Sequence, residues 1–301
     1  MTYATGNRID ATDYNTLATT FKNQWGTGTG NHGLGQSVSA VNNVATGATV
    51  TATQWTGLIS GINSCLAHQG QAQITPSTVT VGNPITYYSA ITTAGATVNN
   101  ATGTTGLALI DGAVNAATYS ASWGTTGNRG LVFTHNIAFA SGDAARYFFN
   151  AGGVLKLSFA KSAAGSVRNA EWAALAAALG TIQIGASDYV KIGGSGVVAN
   201  LQHDGYFGLT TTQVQKVLQY DGVGLYSSDY IACNLSAYGT PSNGGYPGIT
   251  INSYWVNVWP NAFQPDVTGT TTTNLVVSSP STTYLANTWG TPTVGTAVAL
   301  Y

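Results

Sequence analysis

Residues 131–159 read LVFTHNIAFASGDAARYFFNAGGVLKLSF, and their reading sets the fold class. Segments 131–140 and 153–159 are dense in Val, Leu, Phe and Ile with polar residues interleaved, which predicts strands. Between them 143–150 is predicted as a compact helix, with Asp143 as its cap and Gly152-Gly153 as its stop. Further along, 169–179 places Trp172, Leu175 and Leu179 on one face and ends at Gly180, a second helix. Strands are predicted at 213–220, 230–237, 248–258 and 271–277, separated by Gly, Asn and Pro turns. The order of elements predicts an α+β protein whose larger part is a β-sandwich-like antiparallel domain carrying two helices.

Upstream of this block the period is helical. The heptapeptide ATDYNTL at 11–17 recurs as ATQWTGL at 52–58, each with a threonine where an N-cap hydroxyl is wanted. Apolar stripes follow: Tyr14, Leu17, Phe21 and Trp25 in the first copy, and Trp55, Leu58, Ile59, Ile62 and Leu66 in the second. Gly26 and Gly70 stand where C-terminal glycines do. Helices this short are marginal alone, so these stripes must bury against each other, the rest of the chain or another subunit. A third helix is predicted after Pro84, through Tyr87, Tyr88, Ile91 and Val98. Between the first two helices, GTGTGNHGLG at 26–35 lacks the Lys-Ser/Thr of a phosphate loop and reads as a turn; 36–44 could form a short strand. Polar low-complexity sequence at 99–105 marks a boundary. It separates a helical attachment or oligomerisation region, 1–100, from a β-rich domain, 101–301, with a sub-boundary near 180–205.

Composition narrows the function. The 301 residues include only 9 Lys+Arg and 10 Asp+Glu, 6 % charged overall with net charge -1, against roughly 25 % charged in ordinary soluble domains. No basic footprint for nucleic acid or anionic lipid exists, and no run of about 18 apolar residues suits a membrane span. With 44 % hydrophobic residues, 7 Trp, 16 Tyr and 8 Phe the chain can bury a core. So pale a surface lacks the charge that keeps proteins apart, which favours coverage by copies of itself or by neighbours. Cys65 and Cys233 match no metal or redox spacing and read as buried thiols. The first residues carry neither a basic n-region nor an apolar h-region, so synthesis in a cytoplasm without export by the Sec route is expected.

Motifs for chemistry are sparse. The acids show no sequence cluster of the kind a glycosidase needs. Glu171, the sole glutamate, is expected in the first turn of its helix, facing the dipole. His32, His68, His135 and His203 share no ligand spacing, and neither a metal nor a cofactor is expected. His203-Asp204 reads as a loop, and His68 as a cap at the end of the second helix. No GxSxG elbow occurs. The aromatic run Tyr246, Tyr254, Trp255, Trp259 and Phe263 could stack sugar rings. Alternation puts Trp255, Asn257 and Trp259 on one face and Tyr254, Val256 and Val258 on the other, so at least one face is core or interface.

The pattern IDATDYNTL at 9–17, Trp25-Gly26, Gly35-Gln36, VTATQWTGL at 50–58 and His68-Gln69-Gly70 resembles virion structural proteins of tailed bacteriophages, those of cyanophages and other aquatic phages above all. The block 144–158 and the helix opening Asn169-Ala-Glu-Trp172 resemble the same proteins, together covering most of 1–180. Where that family carries an acidic residue after Gly-Gly, this chain has Val154. The resemblance implies a non-enzymatic component of the tail, baseplate, neck or fibre, located in the virion. Its implied partners are copies of itself, as a trimer or hexamer, and other tail or neck proteins. Tyr14, Leu17, Phe21, Trp25, Trp55, Leu58, Ile59 and Ile62 are expected to form the docking or oligomer interface. The alternative is a receptor-binding module that takes host-surface glycan through Tyr254, Trp255 and Trp259.

Overall fold

The computed structural model describes residues 10–75, 78–80, 88–100, 107–162, 165–222, 226–258 and 266–301. Three helices come first: α1 (Ala11–Trp25), α2 (Ala52–His68) and α3 (Tyr88–Asn100). The two repeat copies do open helices, but the caps lie ahead of the expected threonines. Asp10 accepts from the N–H groups of Thr12 and Asp13, and Thr51 forms a reciprocal capping box with Gln54. Phe21 of α1 presses on Gly61 of α2, where a Cβ would lie 2.5 Å from the ring. α3 closes the layer with Ile91 and Val98 buried; Pro84 and Tyr87 lie outside the described residues.

The remaining elements are β1 (Ile110–Tyr119), β2 (Gly130–Ala138), α4 (Gly142–Asn150), β3 (Val154–Lys161), α5 (Val167–Leu179), β4 (Thr181–Ile184), β5 (Tyr189–Ile192), β6 (Asn200–Leu201), β7 (Val214–Tyr220), β8 (Tyr230–Tyr238), β9 (Gly248–Val256), β10 (Thr271–Ser279) and β11 (Thr293–Leu300). All pairing is antiparallel, in a five-stranded sheet β1-β10-β3-β4-β5 and a six-stranded sheet β11-β2-β9-β8-β7-β6. The α+β class is as the sequence implies, including the two helices within the β part. The sheets face one another. Trp255 of β9 donates through Nε1 to Thr273 Oγ1 of β10 at 3.3 Å, and stands 6.2 Å from both Phe133 of β2 and Phe159 of β3. The chain passes from one sheet to the other between β5 and β6, as it also does between β1 and β2, β2 and β3, β9 and β10, and β10 and β11.

Several local expectations are corrected. Ser141, not Asp143, caps α4; Asp143 is drawn instead to Arg146 Nη2 at 2.7 Å. Ser166 caps α5, so Glu171 lies in the second turn, past the reach of the N-terminal dipole. No strand forms at 36–44. There Asn15 takes the place of a neighbouring strand, its amide exchanging two 2.8 Å bonds with the N–H and C=O of Val44. The glycine-rich turn does not present its N–H groups to an anion. Its carbonyls face inward: Thr27 O accepts from the buried Arg146, and Asn31 O and Gly33 O accept from Asn150 Nδ2. His68 does not cap its own helix but bonds Ala151 O at the end of α4, at 2.9 Å. Burial lowers its pKa.

One continuous cluster of buried side chains runs from Ala11 in α1 to Trp289 ahead of β11. The boundary expected at 99–105 falls mainly on residues outside the description, and the core is shared on either side of it. Cys65 and Cys233 are both buried free thiols, as expected.

Candidate functional site

The docking stripe is occupied. Tyr14, Leu17, Phe21, Trp25, Trp55, Leu58, Ile59 and Ile62 are all buried within the chain's own core. Trp55 stands edge-on to Tyr14 at 5.2 Å and to Tyr88 at 6.3 Å. Of the burials expected for this set, the structure shows the first, against each other. The interface assignment is corrected accordingly, because apolar area already removed from water by α1, α2 and α3 cannot drive docking a second time.

The glycan patch comes apart in the same way. Trp255 is fully buried between the sheets and cannot reach a sugar. Tyr254 points to the other side of β9, half-buried, with its hydroxyl donating to Gln213 at 3.4 Å and its ring edge-on to Tyr301 at 5.4 Å. Trp259 and Phe263 lie outside the described residues. The expected alternation of faces therefore holds, and the tryptophan face is the core.

Tertiary structure does assemble acids that sequence spacing did not. Glu171 and Trp172 of α5, Asp221 and Tyr226 between β7 and β8, and Asp229 line a shallow cleft with Leu175. Buried Arg168 sits behind it, its guanidinium 5.7 Å over the Tyr226 ring, with Asp229 and Asp266 as neighbouring charges. Asp229 Oδ1 accepts the Val258 N–H at 2.9 Å. Burial, reinforced by Glu171 and Asp229, pushes the Asp221 carboxyl up to about 6. Burial also pushes Asp229 up to about 6, against the bond from Val258 and the charge of Arg168. The cleft is a shallow surface depression with no enclosed space for a small molecule, whose sites run to roughly 300–1,000 Å³. One of its carboxylates, Asp229, already faces an arginine of the chain itself. Among the described residues no group of three His, Cys, Asp or Glu could hold a metal. His203 and Asp204 diverge, to Asp188 at 2.6 Å and Lys216 at 2.5 Å respectively.

The surface feature that stands out is one side of the sandwich. β1 and β11 are edge strands of different sheets and run beside each other. Ile110 (58 %) and Val114 (62 %) of β1 are exposed there, as are Leu300 (43 %) of β11 and Tyr301 (58 %) just after it. Neither strand was expected from the sequence, so this side was not foreseen. Among the described residues no helix is long and apolar enough to cross a membrane. No family model, no curated protein and no solved structure matches this chain.

Proposed function

We propose that this protein is a structural component of a tailed-phage virion, in the tail, baseplate, neck or fibre apparatus, working as a symmetric homo-oligomer. The observation that carries the self-assembling part is the open side of the sandwich, where Ile110, Val114, Leu300 and Tyr301 are left in water. Exposed apolar side chains along a strand edge are a feature of interaction surfaces. With 6 % charged residues, the chain has little charge with which to resist its own copies. The virion assignment rests on the sequence patterns at 9–70 and 144–172, and the helical layer it contains serves the chain's own core.

The test is the mass of the purified full-length chain by light scattering, with negative-stain microscopy of whatever forms. A stable trimer or hexamer, seen as a spike or a ring, supports the proposal. A monomer at every concentration overturns it.

A further inference from the structure

We infer that β11 pairs antiparallel with β11 of a second copy across a two-fold axis, joining two six-stranded sheets into one. The inference rests on the self-assembling reading above and specifies its contact. It comes from comparing the four edges of the two sheets. An edge strand offers unpaired N–H and C=O groups to any passing strand, and proteins blunt such edges with short strands, bulges or charges.

Three edges are blunted. β6 has 2 residues. β5 has 4 and carries Lys191, whose ammonium donates to Gly196 O beside it. β1 is long, but its register breaks between Asp111 and Val114, and Asp111 is charged and paired to Lys156 at 2.7 Å. β11 has none of these devices. It is 8 residues long and keeps unbroken register with β2 from Thr293↔Ala138 to Leu300↔Leu131. It contains no proline, and no charged residue occurs anywhere in 267–301. Its residues are exposed on both faces, with only Val294 and Val298 half-buried. Among the described residues its one ladder is with β2, continued by Tyr301 exchanging both backbone bonds with Gly130; β1 of the other sheet runs beside it without hydrogen-bonding to it.

The chemistry of this edge favours a second copy over a foreign strand. An antiparallel pair of identical strands is isologous, so one set of backbone groups satisfies its own copy. With no charge on β11, like meets like without repulsion, and the strand has no charge code with which to select another partner. A two-fold contact belongs to a dimer or to a hexamer with dihedral symmetry, and not to a simple three-fold trimer.

Cross-linking the full chain tests this. Both native thiols are buried, so Ala297→Cys introduces the accessible one. Diagonal neighbours in an antiparallel pair lie about 7–8 Å apart, so a short bis-maleimide joins two copies whether or not Ala297 sits on the axis. The expected result is a linked dimer for Ala297→Cys and none for Val190→Cys, on the blunted β5 edge. Ala297→Lys with Ala299→Lys, at exposed positions, should halve the mass of the assembly by light scattering while leaving the circular dichroism spectrum unchanged. An assembled protein in which Ala297→Cys fails to cross-link and the lysines leave the mass unchanged overturns this contact alone. A wild-type monomer at all concentrations overturns both the contact and the proposed function.

Discussion

Asp221 shows how one residue's surroundings set a measurable pH dependence. Burial and the charges of Glu171 and Asp229 favour its protonated form, so its carboxyl titrates at about 6. A carboxyl whose folded pKa is raised stabilises the fold fully below its unfolded value near 3.8, and that contribution is lost as pH rises through about 6. Asn imitates the protonated form. Asp221→Asn should therefore raise the urea midpoint at pH 7.5, by about 1 kcal/mol or less given solvent screening, and make no difference below pH 4. The same variant separates this effect from His68 and His135, which burial keeps neutral and which act with the opposite sign. Their pKa values are lowered, so their contribution is present above the ordinary histidine range and lost as pH falls. Urea titrations at three pH values check both.

Among the elements, the crossing of α1 and α2 is set by one glycine. Gly61 lets Phe21 lie directly on the α2 backbone. Alanine would gain about 1 kcal/mol of helix propensity but would force the ring away, an overpacking that costs about 1–3 kcal/mol. Gly61→Ala should lower the urea midpoint, and Gly61→Val should do so further. Among the strands, those with dense Val, Leu, Ile and Phe, such as β2, β3, β8 and β9, were legible, because their inner faces fill the sandwich. β1 and β11 were not. Their Gly, Ala and Thr content carries little strand preference, and an edge exposed on both faces shows no alternation. β4 and β5 are each too short to show a period.

At the scale of the whole molecule, the helical layer and the sandwich are bolted together by named groups. Gln36 Nε2 donates to Ala286 O at 3.0 Å while its Oε1 accepts from Ala286 N at 2.8 Å, tying the turn after α1 to the segment leading into β11. Arg146, Asn150, His68 and Thr288 make further ties. Heating should therefore produce one transition in which helical and β signals fall together. Trp55→Ala should lower that single transition by about 3–5 kcal/mol, since Trp55 is core and not docking surface. Two separated transitions in circular dichroism and tryptophan fluorescence would contradict this linkage.

The sequence by itself determined the fold class, four of the helices closely and the strands that line the core, because burial imposes a period of 3.6 or 2 on residues that must face inward. It also set how little charge the surface could carry. Only tertiary structure decided what the stripes touch, since a periodic face shows that a side chain is buried and not against what. It is likewise tertiary structure that sinks Trp255 between the sheets and brings Glu171 of α5 beside Asp221 and Asp229 of the β7–β8 connection. It also leaves β11 as an unblunted edge, because whether a strand is central or outermost depends on pairing partners distant in sequence.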